Sequence, residues 1–207
     1  HTLGRKVIQV MQENTLSLSS TIQTNTIDQF ESLIRDHEKA LYHFAYRLTG
    51  DPYDAQDLLQ EAFLKAYRSF HRFELGTSFD RWVYQITYRL FVDNYRKKRR
   101  RPYTSSLDEP IPNLDQDKTP EVADESQLPE VLTLQSELGQ IIQDALKKIP
   151  AEFRAAVVLC DVQGFSYEEI SQILRCSLGT VRSRIHRGRK LLRGLLLPYL
   201  REEGICS

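Results

Sequence analysis

Arg182, Ser183, His186 and Arg187 are the residues of this chain best suited to reading the edges of base pairs. A guanidinium reaches guanine O6 and N7 through two parallel hydrogen bonds, a contact that discriminates by about 1–3 kcal/mol. All four lie in SYEEISQILRCSLGTVRSRIHRGRKLLR, residues 166–193. Projected at about 100° per residue, they share one side of a helix with Lys190. Leu178, Val181, Ile185, Gly188 and Leu192 recur at steps of three and four and predict a buried stripe on the other side. Arg184, Arg189 and Lys190 are placed to hold phosphates. Thr180 sits near the helix N-terminus, where backbone N–H groups favour anions. Ser166 and Glu169 have the spacing of a capping box and predict a preceding helix, with Cys176 and Ser177 in the turn between the two. Residues 177–193 hold six Lys or Arg and no acid. A basic helical face alone is commonly just solvated. Here cap, turn, apolar register and one-sided charge agree, and together they suit insertion into a DNA major groove.

A second constellation lies upstream, in DPYDAQDLLQEAFLKAYRSF. Asp51-Pro52 has the N-cap then N1 order that opens a helix. Ala55, Leu58, Leu59, Ala62, Phe63, Ala66 and Phe70 make its apolar stripe. The far side carries Asp57, Gln60, Glu61, Leu64 and Arg68. A single exposed leucine carries no meaning, but Leu64 ringed by polar groups has the form of a small docking hot spot. A solvated acidic face is the plainer alternative.

A third helix is expected from about Phe79 to Arg96. It is apolar on two sides, through Trp82, Val83, Ile86 and Leu90 on one and Tyr84, Tyr88, Phe91 and Tyr95 on the other. Either neighbouring helices cover both sides, or some rings stack unpaired bases. Residues 96–101 are six consecutive cations. Helix C-termini favour positive charge, yet six cations exceed that need. Phosphate attraction, which positions without reading sequence, is the fuller account of Arg96, Lys97, Lys98, Arg99 and Arg100.

The elements that position these groups are helical throughout. Phe30, Leu33, Ile34, Leu41, Phe44, Ala45 and Leu48 make a first stripe that Gly50 closes. Leu134, Leu138, Ile141, Ile142, Ala145 and Ile149 make another that Pro150 breaks, and a helix from Phe153 to Cys160 follows. No segment alternates with period two, so the class is all-α. The expected organisation is an arm over 1–26, disordered or added for expression, then a helical domain over 27–100. A linker over 101–133 follows, then a second helical domain over 134–200 and a tail over 201–207. The linker carries five prolines among acids, Ser and Thr, and cannot bury enough apolar area to offset its ordering entropy.

The 207 residues carry 28 basic and 28 acidic side chains. That balance hides segregation, since residues 107–130 hold eight acids and one lysine. Local fields therefore matter more than the global charge. No apolar run reaches the length of a bilayer span, and no signal-peptide pattern opens the chain. Cys160, Cys176 and Cys206 are scattered, without metal-ligand spacing, which suits free thiols in a reducing cytoplasm. No nucleophile with a base, no metal-spaced carboxylates and no phosphate-cradling Gly loop points to an enzyme. No cofactor or metal is expected.

Two passages carry a family resemblance. Residues 166–193 resemble the domain 4 helix-turn-helix of the extracytoplasmic-function (ECF) sigma factors of bacterial RNA polymerase. DPYDAQDLLQEAFLKAYRSFHRFELGTSFDRWVYQIT resembles their domain 2. The two stand in the family's order, separated by a linker as in the family. The resemblance implies a dissociable initiation factor that binds core RNA polymerase and directs promoter recognition and melting. It implies that Asp57, Leu58, Gln60, Glu61 and Leu64 grip the clamp helices of the largest catalytic subunit. The loop Leu75, Gly76, Thr77 and Ser78, with Trp82 and Arg89, would capture the −10 element as a single strand with a flipped base, at a few kcal/mol of unstacking. Most members have Asn where this chain has Arg89, which leaves the base preference open, with a phosphate contact as the other role. Arg182, Ser183, His186 and Arg187 would read the −35 duplex.

In the family the linker threads a basic polymerase channel; a solubilising spacer is the plainer reading. Elements nearly two helical turns apart lie roughly 60 Å apart, and thirty-odd residues stretch to about 100 Å. Tethering makes the second contact effectively intramolecular. The resemblance also implies an anti-sigma partner and a cytoplasmic place of work, with that partner able to hold the protein at the membrane. The competing reading is a helix-turn-helix regulator that acts without polymerase, which leaves the DLLQEAFLKAY helix without a purpose.

Overall fold

The computed structural model describes residues 20–73, 77–100 and 137–202. Most of the expected arm, Leu75 and Gly76, the linker and the end of the tail lie outside the described residues. The described segments form α1 (Ser20–Thr49), α2 (Pro52–Ser69), a 3-10 turn (Phe70–Arg72) and α3 (Phe79–Arg100). After residue 136 come α4 (Glu137–Lys148), α5 (Ala151–Val157), a π turn (Val158–Val162), α6 (Tyr167–Leu174) and α7 (Leu178–Glu202). α1 starts at Ser20, two turns ahead of the residue where the apolar period begins.

Sequence sets the element boundaries through specific caps. Gly50 ends α1 at φ +76°, a conformation that L side chains avoid. Asp51 then accepts from the backbone N–H of Tyr53 and Asp54, both at 2.9 Å, with Pro52 in the first turn of α2. Ser166 and Glu169 form the reciprocal capping box of α6. Ser177 accepts from the N–H of Thr180 at 3.2 Å and so caps α7. The turn between α6 and α7 has Arg175 in the left-handed region, at φ +50°.

The apolar stripes of α1, α2 and α3 close on one another around Phe44, Phe63, Leu59 and Val83, all fully buried. Each such side chain contributes about 1.5–3 kcal/mol by leaving water. On α7, Val181, Ile185 and Gly188 are buried against α5 and α6. Leu178, expected in the same stripe, is 36% exposed, at the first residue of the helix. On α4, Ala145 and Ile149 are buried as expected, but the buried side is wider than the expected stripe and shifted at its start. Leu138 is 46% exposed, while Gln143 and Leu146 are buried. The cause is α1, which packs against α4 and brings a polar residue to the contact.

The two helical groups do not stand apart. One continuous core runs from Phe30 to Ile185, and the second side of α3 is what joins it. Tyr84, Tyr88 and Phe91 are buried, with α6 packed against α3. The Tyr84 ring meets Phe165 edge-on at 4.9 Å, and its hydroxyl donates to Gln163 at 2.7 Å. Burial raises the Tyr84 pKa well above the ordinary phenol value. Helices therefore cover α3 on both sides, and these three rings are core in this arrangement.

Candidate nucleic-acid and protein-docking surfaces

The helix-turn-helix presents its basic side outward. Arg182, Ser183, His186, Arg187 and Lys190 are all exposed on α7, opposite the Val181–Ile185–Gly188 side that anchors the helix. Gly188 is required by a close approach. A Cβ on it would come within 2.5 Å of Val157 Cγ2 and 3.2 Å of the Phe153 carbonyl oxygen. Ser183 also donates to the Thr180 carbonyl at 2.9 Å, so its hydroxyl is shared with its own helix. Thr180 is half-buried and paired with the Ser177 hydroxyl at 2.9 Å.

Two of the expected phosphate contacts are engaged elsewhere. Arg184 pairs with Glu152 on α5 at 3.2 Å. Arg189 Nε donates to Asp161 Oδ2 at 3.0 Å. The Arg189 bonds hold the Asp161 carboxyl below its usual range, partly opposed by burial. Asp161 lies in the π turn, a feature often found at functional sites. Each guanidinium thus has part of its donor set occupied by a carboxylate. Burial, and Asp161 beside it, push the Cys160 thiol up, which disfavours the reactive thiolate.

The α2 ridge is split by depth. Asp57 and Glu61 are exposed, while Gln60 and Leu64 are half-buried. Leu58 is 3% exposed and belongs to the core. It is the one member of the expected docking set that a flat partner cannot touch, because its position in the apolar stripe outweighs its place in the motif. Leu58 does line the floor of an open groove, together with Asp57, Glu61, Lys97, Lys147 and Arg154. Its lining comes from the end of α1, α2 and the end of α3, with Lys147 of α4 and Arg154 of α5.

Along α3, Trp82, Arg89 and Arg96 are seven residues apart, which places them on one ridge of the helix roughly 10 Å from one to the next. Arg89 and Arg96 are exposed. Trp82 is half-buried against Phe73, at 5.2 Å between ring centres. The ridge therefore begins at an aromatic cluster of Phe70, Phe73, Phe79 and Trp82 and ends in cations. Thr77 is exposed and Ser78 half-buried beside this cluster. The Ser78 hydroxyl donates to the Asp80 carboxylate. Lys97 is exposed, and Lys98 reaches back to Asp54 at 2.8 Å. Arg99 and Arg100 continue the helix.

Sequence reasoning missed the groups that join the two helical units. Arg47 donates to Gln143 Oε1 at 3.1 Å and to the Gly139 carbonyl at 3.4 Å. Arg154 donates to the carbonyls of Leu48, Lys147 and Ile149. Burial pulls both guanidiniums below their ordinary pKa. The available signal was a cation at an apolar register position, Arg47 beside Leu48 and Arg154 between Phe153 and Ala155.

Comparison with known proteins agrees with this layout. Residues 33–101 match the family Sigma-70 region 2, and residues 139–192 match Sigma-70, region 4. The chain is 44% identical to the ECF RNA polymerase sigma factor SigE of Mycolicibacterium smegmatis over 84% of its own length, and spans 63% of that relative. It is 33% identical to the ECF RNA polymerase sigma factor SigW of Bacillus subtilis, covering 80% of this chain and 88% of SigW. Among solved structures it resembles the sigma factor RpoE of Bartonella quintana in complex with the anti-sigma factor NepR. That likeness has a TM-score of 0.61 and 29% identity, and covers 81% of this chain and 96% of the other.

Proposed function

The chain belongs to the ECF family of RNA polymerase sigma factors, and on that premise we propose that it binds core RNA polymerase and directs it to promoters. The observation that carries this reading is the coexistence of two independent surfaces in one chain. An outward basic face on α7 suits duplex DNA. An acidic ridge on α2, with Asp57 and Glu61 exposed, has no use in a stand-alone DNA-binding regulator. The work is binding, with no bond-making step of its own.

The assignment of roles follows the chemistry of each surface. Arg182, Ser183, His186 and Arg187 read the −35 duplex. Lys190 holds phosphates, with Arg184 and Arg189 through the donors their carboxylates leave open. Asp57, Gln60, Glu61 and Leu64 dock on the polymerase, with Leu58 reached only by a side chain that enters the groove. The ridge Trp82–Arg89–Arg96 is a track for the −10 single strand, with stacking at one end and phosphate attraction along it. Arg89 lies midway on that track and suits a phosphate. Residues 27–100 and 134–200 act as the two working units, joined by 101–133.

An anti-sigma partner is proposed for this chain as well, because RpoE of Bartonella quintana folds similarly and is found with one. No helix among the described residues is long and apolar enough to cross a membrane. The proposed place of work is the cytoplasm, where such a partner could hold the protein at the membrane.

A pull-down with core polymerase tests the reading. The wild-type chain should retain the enzyme, and Asp57→Ala with Glu61→Ala should lose most of it while the fold is kept. Absence of retention by the wild-type chain would sink the proposal and favour the polymerase-independent regulator.

A further inference from the structure

The groove that Leu58 floors has the size and the chemistry of a small-molecule site. Its volume is about 810 Å³, inside the range of about 300–1,000 Å³ in which such ligands bind. At depth its lining is apolar and aromatic. Leu48, Leu58 and Phe91 are buried there, and Tyr95 is 38% exposed. The Phe91 and Tyr95 ring centres lie 6.1 Å apart, one turn from each other on α3. A flat heteroaromatic ring stacks on such a surface whatever its hydrogen-bonding edge, because every base has a π-face.

Charge is sorted around this surface by element. Lys97 and Lys98 come from the end of α3, Lys147 from α4 and Arg154 from α5. The carboxylates Asp54, Asp57 and Glu61 all belong to α2. Part of this charge is already matched. Lys98 pairs with Asp54 at 2.8 Å, and Glu61 accepts from Asn94 at 3.3 Å. Lys147 meets Asp144 at 3.9 Å, the outer edge of an ion pair. Lys97 and Asp57 have no hydrogen-bond or ion-pair partner among the described residues. Arg154 adds a buried cation. It is 7% exposed, and its Nη atoms donate to the carbonyls of Leu48, Lys147 and Ile149. Its Nε has no partner among the described residues. A cation buried without a carboxylate is unfavourable, and an anion in the groove would offset that.

Together these features select a ligand class. Cations from three helices suit a run of phosphates, and the aromatic lining suits a base. The unpaired Asp57 carboxylate suits ribose hydroxyls, the role an acidic residue has in dinucleotide sites. An apolar ligand would leave Lys97 and Arg154 without counter-charge, and an inorganic anion would leave the rings unused. We propose that the groove binds a nucleoside polyphosphate, with its phosphates toward Lys97, Lys147 and Arg154, its base against Tyr95 and Phe91, and its ribose on Asp57. The site stands apart from any reading of function. One consequence does rest on the sigma-factor reading. Asp57 and Glu61 also serve the proposed polymerase contact, so nucleotide and core polymerase compete for the chain.

Titration calorimetry of the full chain with GTP and with ATP tests the site. Saturable binding is expected, weakened about tenfold by Lys147→Met and by Lys97→Met. Methionine keeps the stem of Lys147 over Gly50, so the first variant removes charge and preserves packing. Arg35→Met, which removes an exposed cation of α1 outside the groove, should bind as wild type. Tyr95→Ala should weaken GTP about tenfold and leave inorganic tripolyphosphate unchanged. Absence of saturable binding by either nucleotide would overturn the proposal, as would wild-type affinity in both methionine variants of the groove. Tripolyphosphate bound as tightly as GTP would overturn the nucleotide assignment and leave a bare anion site. A short single-stranded DNA bound more tightly than GTP, and lost in Lys147→Met, would overturn it in favour of nucleic acid. The competition is read separately. GTP at about ten times its Kd should raise the apparent Kd for core polymerase about tenfold. Nucleotide binding with unchanged core affinity would overturn the competition. Failure to bind core with or without GTP would overturn the sigma reading and leave the nucleotide site established.

Discussion

Gly188 faces Val157 across the crossing of α7 and α5 so closely that a Cβ would lie 2.5 Å from Val157 Cγ2. The Phe153 carbonyl oxygen, at 3.2 Å from the same point, cannot swing aside as a side-chain end would. The helix that carries the base-reading arginines is therefore set in depth and rotation by one absent methyl group. Gly188→Ala gains about 1 kcal/mol of helix propensity but overpacks the contact by about 1–3 kcal/mol. The net effect should be a loss of about 1 kcal/mol, read as a midpoint lowered by about 2–4 °C in thermal denaturation, together with weaker duplex binding.

The α6 cap makes a second case. Ser166 Oγ accepts from the Glu169 N–H at 3.3 Å, and the Glu169 carboxylate accepts from the Ser166 N–H at 2.9 Å. Ser166→Ala should cost about 1 kcal/mol, measured by urea denaturation, with little effect on core-polymerase binding because α2 lies in the other unit.

These two features differ in how visible they are in sequence. The capping box is local, and S-x-x-E before an apolar run states it outright. The Asp51-Pro52 start of α2 is equally local, as is the period that buries Val181 and Ile185. Arg182, His186 and Arg187 follow from that period by subtraction. The fit of Gly188 to Val157 joins positions 31 residues apart, and glycine in a helix reads only as a weak spot. The left-handed Arg175 gives no signal, since the turn lacks the glycine that usually marks it. Docking of the two units was least legible. An acidic, proline-rich linker argues for separation, and the contact that opposes it runs through Arg47, Gln143 and Arg154. Polar residues in an apolar register read as noise until the partner helix ends are seen. The double apolar face of α3 carried the missing information, because Tyr84 meets Phe44 of α1 at 5.0 Å and Phe165 at 4.9 Å, so the face needs cover from both units.

The Arg189–Asp161 pair competes with DNA for one guanidinium. Asp161→Asn should free Arg189, tighten duplex binding and steepen its salt dependence by about one phosphate contact. The pair has an acid signature as well. The folded Asp161 carboxyl is held below its usual range, so its stabilisation is present above the unfolded value of about 3.9 and is lost as pH falls through the lower folded value. Both groups are partly exposed, which limits the effect to about 0.2–1 kcal/mol. The difference in denaturation midpoint between wild type and Asp161→Asn should therefore begin to shrink below about pH 4 and vanish only once pH is below the depressed folded value.

Division of labour between the units gives a further expectation. Arg182 is exposed on α7 and far in sequence from the α2 ridge. Arg182→Ala should erase about 1–3 kcal/mol of discrimination between a matched and a mismatched −35 duplex, while retention of core polymerase stays at the wild-type level. Parallel loss of both would show that the α7 face and the α2 ridge are not separate sites.

Run-off transcription with core polymerase on fragments of the source genome tests the central claim most directly. With this chain present, transcripts should begin at a small set of defined positions that share upstream sequence at two elements. The same reaction without the chain, or with Asp57→Ala and Glu61→Ala, should lack them. Transcripts that are unchanged by addition of the chain would contradict the account.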